Sequence, residues 1–315
     1  MGVVSETETT KAVTRPISRG RAFKKSRFGR ILLRSPFYFL VVVIFIYALF
    51  PFLWALRSAF TPDNDLFATP LQYIPKHPTF DNFTAALQAS FFRHALLNST
   101  IVAGSVTLLS LAIGSLAAFA LGRFRFRGRS AVMYVMLSMT IFPQIAILGA
   151  LYTMISGFHI VWFIRFPHLY DTRWALIFTY LIFTLPFTVW VLTSFMRALP
   201  KDLEEAAYVD GASPLQTFWK VLLPLIAPGL VTTGLLAFIA AWNEYLFALS
   251  FIQSPNNYTV PIGITSFVGK SGSAFQQPWG EIMAATIIVT LPLIIAVLVL
   301  QKRILAGLTA GAVKG

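Results

Sequence analysis

The chain contains no cysteine, which excludes disulfides and thiolate metal sites. Charge is scarce as well. Asp, Glu, Lys and Arg make up 12% of its 315 residues, against about 25% in a typical soluble domain. Histidine occurs only as His77, His94, His159 and His168, without the close pairing that a metal-ligand set shows, so no metal site is expected. No nucleophile stands near a base in any recognisable pattern, and no catalytic residues are assigned.

What is present is mostly apolar: 57% hydrophobic residues, 30 Phe, 7 Trp and a mean hydropathy of +0.72. That composition suits a chain solvated by lipid. A spanning helix needs about 20 mostly apolar residues. Six segments qualify: 36–56, 97–121, 131–156, 174–196, 224–252 and 281–301. Pro51, Pro143, Pro186 and Pro292 interrupt four of them, which neighbouring helices tolerate by re-satisfying the freed carbonyls. The first segment follows a long basic arm and lacks a small-x-small cleavage site, so it reads as a span and not as a cleavable signal. The fold class expected is an all-α integral membrane protein with six transmembrane helices.

The basic residues set the orientation. They crowd the arm 1–35 (Lys11, Arg15, Arg19, Arg21, Lys24, Lys25, Arg27, Arg30, Arg34), the loop "GRFRFRGRS" (Arg123, Arg125, Arg127, Arg129), the segment 197–220 (Arg197, Lys201, Lys220) and the tail (Lys302, Arg303, Lys314). Of the 25 Lys and Arg, only Arg57, Lys76, Arg93, Arg165, Arg173 and Lys270 fall on the other side. The positive-inside rule then places both termini in the cytoplasm. It also accounts for the net charge of +13 without a nucleic-acid partner, and aromatic stacking platforms on a basic sheet are absent. The expected organisation is a basic cytoplasmic arm over 1–35, a six-helix transmembrane domain over 36–303 and a cytoplasmic tail over 304–315.

"GITSFVGKS" (263–271) superficially suggests a phosphate-binding loop. Five residues separate Gly263 from Gly269, where the motif needs four, and no strand precedes them. No ATPase is assigned to the chain.

The segment 200–224 is polar between two apolar stretches. Pro200 can start a helix whose first turn holds Asp202, Glu204 and Glu205, where the positive helix end favours carboxylates. Ala206, Ala207 and Val209 give it a small apolar surface. Asp210-Gly211 stops it, since glycine readily takes the left-handed position after a helix. Ser213 can cap a second helix with Pro214 at its first position, carrying Leu215, Phe218, Trp219 and Leu222 at helical spacing. Two readings fit these residues: an ordinary surface hairpin with solvated carboxylates, or a helix that inserts into a groove of a partner.

The segment "EEAAYVDGASPLQTFWKVLLPLIAP" resembles the EAA loop of binding-protein-dependent ABC importer permeases. The matching positions are Glu205, Ala206, Ala207, then Asp210, Gly211, Ala212, then Leu223 and Pro224. "FIAAWNEYLFAL" (238–249), "PWGEIMAATIIVTLPLII" (278–295) and "GLTAGAVKG" (307–315) are similar to the sugar-importing branch, on the maltose-type subunit that ends in such a tail. The likeness runs from about Arg34 to Gly315. One departure is the stretch 157–174, longer and more aromatic than that family's pattern.

The resemblance implies a permease subunit, not an enzyme, in the cytoplasmic (inner) membrane of a bacterium or archaeon. It would pair with a second permease as a heterodimer, above two ATPase subunits and below an extracytoplasmic sugar-binding protein, with lipid around it. Cofactors belong elsewhere, ATP and Mg being bound by the ATPase. The hairpin 200–224 would couple the two, with Glu205, joined by Glu204, as charged anchor and Ala206 and Ala207 lying flush. Val313, Lys314 and Gly315 would reach between the ATPase subunits, although disorder is the default for an isolated tail. The expected cargo is a disaccharide or α-glucoside such as maltose or trehalose, with longer oligosaccharides next.

For the pathway, Asn243 and Glu244 lie in the fifth span, where polar groups tend to face a cavity or a partner. Trp242 and Tyr245 flank them, and Gln144 follows Pro143 in the third span. These residues suit a sugar's faces and hydroxyls, yet interhelical hydrogen bonding explains the polar pair equally. The rival functions are an amino-acid or peptide permease of the same superfamily, a secondary transporter, which would usually show more spans or an internal repeat, and a scaffold recruiting a cytoplasmic protein.

Overall fold

The computed structural model describes residues 27–70, 72–157, 159–161, 164–165, 168–267 and 277–312, with side chains from Pro36 to Gln301 except over 158–167. Two units are distinguished, Met1–Phe52 and Leu53–Gly315. The boundary falls inside helix α1 (Arg27–Ala59). In the first unit every side chain from Pro36 to Phe52 is exposed, an apolar surface of the kind that lipid or another protein covers.

The second unit continues through α2 (Asp81–Gln88), α3 (Ser90–Arg123), α4 (Arg129–Ile141) and α5 (Gln144–Ile155). The stretch flagged as unusual holds two short antiparallel strands, β1 (His159–Val161) and β2 (Ile164–Arg165). Then follow α6 (Arg173–Ala198), α7 (Asp202–Val209), α8 (Pro214–Thr217), a wide helical turn at Phe218–Leu222, and α9 (Leu223–Leu225). The chain ends in α10 (Ala227–Trp242), α11 (Leu246–Phe251), α12 (Val260–Thr265) and α13 (Trp279–Ala312).

Four described helices are long and apolar enough to cross a membrane, or six when each of two bent pairs counts as one span. Pro51, Pro186 and Pro292 sit inside continuous helices. Pro143 does not. Phe142 takes the extended backbone favoured before proline, Pro143 is extended too, and α4 meets α5 at 99°. The fifth span, expected as one run over 224–252, bends by 76° at Ile226 and breaks again at Asn243–Tyr245 before α11.

The centre of this unit is the pair α3 and α6. Ser110 hydrogen-bonds Thr184 (2.8 Å), a Cβ on Gly114 would meet Thr188 at 2.8 Å, and one on Gly122 would meet Met196 at 2.8 Å. Both helices therefore run in the same direction in a constant register. Small residues at the contact let the backbones approach, the usual basis of helix association in lipid.

One cluster of buried side chains, including Val102, Val106, Leu176, Tyr180, Phe247, Phe251 and Val260, packs around the first half of the pair. A second, with Ala118, Phe119, Leu192, Met196, Phe218, Leu222 and Ile226, closes its far end.

At the near end, polar side chains tie the connections down. Asn98 Nδ2 donates to the carbonyls of Asn256 (2.8 Å) and Tyr258 (2.9 Å), and Ser99 Oγ accepts from Val260 N (2.8 Å). Asp171, at φ 58°, accepts from the backbone N–H groups of Gln253 (2.9 Å) and Ser254 (3.0 Å) and from the Ser254 hydroxyl. Burial alone would raise the Asp171 pKa. The hydrogen bonds from Ser254, Gln253 and Asn257 outweigh it and hold the carboxyl below its ordinary value.

Candidate functional site

Helix α7 begins at Asp202, two residues after Pro200. Its first turn holds Asp202, Glu204 and Glu205, and the N–H groups of Glu204 and Glu205 donate to Lys201 O. Gly211 ends it at φ 81°. Gly211 N donates to Tyr208 O (3.0 Å) and Ala212 N to Ala207 O (2.9 Å), the paired closing bonds of a glycine-terminated helix. Apart from its neighbours along the chain, no described atom lies within 4 Å of a Cβ built on Gly211. The backbone conformation alone demands glycine there.

Ser213 then starts the second helix through reciprocal bonds. Gln216 N donates to Ser213 Oγ (3.3 Å) and Ser213 N donates to Gln216 Oε1 (2.9 Å). The Ser-x-x-Gln spacing is itself the sequence signature of this cap, beyond Ser213 and Pro214 alone. Beyond Thr217 the helix widens, with Leu223 N donating to Phe218 O, five residues back. Pro224 has no N–H and its ring crowds the carbonyl four residues earlier, which a wider turn relieves.

The two adjacent glutamates face different ways. Glu204 Oε1 lies 2.5 Å from Arg123 Nε, with side-chain exposures of 13% and 6%. Arg123 also donates from Nη1 to Leu199 O (3.1 Å), just past the end of α6. Arg197 returns the contact, its Nη2 donating to Leu121 O (3.4 Å) near the end of α3. Each helix thus caps the other's terminal carbonyls with an arginine from its own last turn, where the helix dipole favours a cation. Glu204 fastens the hairpin to that crossed pair.

Glu205, by contrast, is exposed, as are Ala206, Tyr208, Asp210 and Pro224. Val209 is 88% exposed. Ala207 is buried, and Ala212 and Leu223 are half-buried. On the second helix Leu215 and Trp219 are exposed while Phe218 and Leu222 are fully buried. Phe218 packs on Phe119 of α3, with ring centres 5.1 Å apart. The hairpin is tied to α3 on one side, and among the described residues nothing covers its other face.

The pathway candidates occupy two breaks. Trp242 ends α10, buried and stacked on Phe238 (5.4 Å). Asn243 is exposed, its Nδ2 donating to Ile239 O (2.9 Å). Glu244 accepts from the N–H groups of Phe247 (2.9 Å) and Ala248 (3.1 Å), capping the start of α11, and Tyr245 is partly exposed beside it. Gln144 is exposed at the first position of α5, beside the 99° bend. The breaks expose Asn243 and Gln144, while Glu244 spends both oxygens on the backbone. Val313, Lys314 and Gly315, and the pseudo-motif residues Gly269, Lys270 and Ser271, lie outside the described residues.

Residues 110–309 match the profile of the family described as "Binding-protein-dependent transport system inner membrane component". The chain is 42% identical over 276 residues to the trehalose/maltose transport system permease protein MalG of Thermococcus litoralis, covering 87% of this chain and 94% of that one. It is 40% identical over 269 residues to the trehalose transport system permease protein SugB of Mycobacterium tuberculosis, covering 85% and 93%. Among solved structures, a chain of a bacterial ABC transporter involved in the import of the acidic polysaccharide alginate superposes with a TM-score of 0.73. Identity there is 20%, with 89% of this chain and 98% of that chain covered.

Proposed function

This multi-pass membrane chain belongs to the binding-protein-dependent transport system inner membrane components, and we propose that it carries a trehalose- or maltose-like sugar inward as one permease of a heterodimer. Membership makes it a permease subunit that works with a partner ATPase and a substrate-binding protein, not an enzyme. The finer picture is ours: two ATPase subunits on the Arg-rich side, a sugar-binding protein on the other, and the cytoplasmic membrane of a bacterium or archaeon around them. Two sugar-transport relatives at 40% identity or more support the cargo class.

The observation that carries the coupling role is the divergence of Glu204 and Glu205. Glu204 is tied to Arg123, whereas Glu205, Ala206 and Val209 face outward with no contact from the described chain to cover them. An ATPase cleft closing on ATP would push on that outward face. The hairpin would pass the push to α3 and α6 and shift the spans between inward- and outward-facing states. Val313, Lys314 and Gly315 are proposed as the second ATPase contact. Asn243, Tyr245 and Gln144, exposed at the breaks, are proposed to line the sugar's path, with Trp242 and Glu244 shaping it from behind.

The test is reconstitution of the chain with its co-purifying ATPase, sister permease and binding protein, followed by uptake of labelled trehalose and maltose. ATP-dependent accumulation of either sugar supports the proposal. Uptake of amino acids or peptides instead, or uptake driven by a proton gradient without ATP, overturns it.

A further inference from the structure

At the Arg-rich end, outside the coupling face, α4 and α6 flank an open cleft of about 190 Å³ lined by Ser130, Met133, Tyr134, Leu137, Trp190 and Arg197. Its composition is split. Arg197 and the Ser130 hydroxyl lie toward one end of the two helices, and Met133, Leu137 and Trp190 lie further along them. The positive charge around it is not neutralised. Arg129 is set among its neighbours by burial first and then by the like charges of Arg197 and Arg125, and its Nη2 donates to the Gly122 carbonyl (3.2 Å), which leaves its charge without a counter-ion. Arg129 Nε and Arg123 Nη2 are buried without a hydrogen-bond partner, and among the described residues the ion pair recorded for these arginines is that of Arg123 with Glu204. Helix α4 opens here with no acidic residue in its first turn and no side-chain cap. Its free N–H groups therefore add to the positive potential.

From the cleft, the uncompensated arginines and the apolar walls together, we infer that this site binds an anionic phospholipid. The phosphate sits against Arg197, Ser130 and the start of α4, and an acyl chain lies over Met133, Leu137 and Trp190. Tyr134 and Trp190, 73% and 42% exposed, have the amphipathic rings that settle at the headgroup level of a bilayer. Arginine matches a phosphate with paired donors, and basic pockets between spanning helices hold anionic headgroups in this way. A soluble phosphate would use the cation but leave the apolar walls bare, which is why a lipid is the occupant. The site goes beyond the transport reading and does not rest on it.

The experiment uses the assembled importer, exchanged into nanodiscs of phosphatidylglycerol mixed with phosphatidylcholine. Co-purifying lipid is then counted by native mass spectrometry after transfer to mild detergent. The parent should retain phosphatidylglycerol over phosphatidylcholine, and Arg197→Gln should lower that retention about tenfold, the loss of one charge-assisted contact. Because Arg197 also caps α3, Ser130→Glu is the second variant. A carboxylate there complements the start of α4, so thermal stability should hold or rise while the added charge expels the phosphate. Arg127→Gln, exposed on the preceding loop, should retain lipid like the parent. Retention unchanged by Ser130→Glu overturns the site, as does equal retention of both lipids. Stabilisation by inorganic phosphate with no lipid retained also overturns it, in favour of a soluble anion.

Discussion

Neutralising each of the two adjacent glutamates separates a strut from an anchor. Glu204→Gln removes the charge facing Arg123, in a pair only 13% and 6% exposed. Breaking one side of a buried ion pair costs about 3–5 kcal/mol, because the other charge is left uncompensated. The glutamine amide can still accept one hydrogen bond, and Arg123 keeps its bond to Leu199 O, so the lower end, about 3 kcal/mol, is expected. Glu205→Gln changes an exposed side chain and should stay within about 0.5 kcal/mol of the parent. The assay is unfolding of the full chain in mixed micelles, followed by tryptophan fluorescence. A double-mutant cycle with Arg123→Gln isolates the pair, and its coupling energy should be about 2 kcal/mol. In the assembled importer the order inverts: Glu205→Gln loosens the ATPase from the chain, while any Glu204→Gln complex that forms keeps it. Equal stability of the two variants, or a coupling energy near zero, would refute the assignment of Glu204 as a strut.

Gly211→Ala should cost about 1–2 kcal/mol by backbone strain alone, since φ is 81° and the space around it is open; Gly211→Asn should recover much of that in the same unfolding assay. Gly122→Ala tests packing instead, because its Cβ would fall 2.8 Å from Met196 Cβ; a loss of about 1–3 kcal/mol is expected, and Met196→Ala in the same chain, which keeps that Cβ, should not restore it. For Asp171 the folded pKa is depressed, so its stabilisation is fully present above the ordinary aspartate value of 3.8 and is lost as pH falls through the folded value. The protection of the Gln253 and Ser254 amides against hydrogen exchange, taken relative to the intrinsic rate at each pH, should therefore fall below pH 4, and Asp171→Asn, which tolerates positive φ, should remove that pH dependence at less cost than Asp171→Ala.

Hydropathy located the spans, and local chemistry located the hairpin. Gly211 and Ser213 announce their turns because the left-handed position and the N-cap are set by one residue and its immediate neighbours. The breaks were less legible. A hydropathy window averages over apolar content and carries nothing about ψ, so the extended pair Phe142-Pro143 looked like Pro51 or Pro292, both of which remain inside helices. Glu244 read as a polar group within a continuous fifth span, whereas the span stops at Trp242 and the carboxylate caps the next helix. Arg123 was counted only as a marker of orientation. Its partner Glu204 lies on another element far along the chain, and no local pattern joins them. The same holds for Arg197 and Leu121 O. Pairings of this kind follow from the parallel docking of α3 and α6, which composition does not encode.

That docking also says where the second unit can and cannot bend. Along α3 and α6, close glycine contacts at Gly114 and Gly122 and the Ser110–Thr184 bond leave no slack for sliding. At one end the crossed arginines lock the helix termini and carry the hairpin through Glu204. At the other, Asn98 and Ser99 bind the 256–260 segment to α3, and Asp171 holds residues 253–254 at the start of α6. On the proposed coupling, a push on Glu205 and Val209 would move the pair as one body. Among the described residues, the spans are interrupted at Phe142-Pro143, Ile226 and Asn243–Tyr245, where a change of angle would break no continuous helix. Two of these hold the exposed polar side chains Gln144 and Asn243. Stiffening should then separate by place. A disulfide engineered across α3 and α6 should leave ATP-driven uptake intact, whereas one that fixes α4 to α5 across the 99° bend should stop uptake while the ATPase stays bound. If the α3–α6 bridge abolishes transport and the α4–α5 bridge does not, the rigid body and the hinge have been assigned the wrong way round.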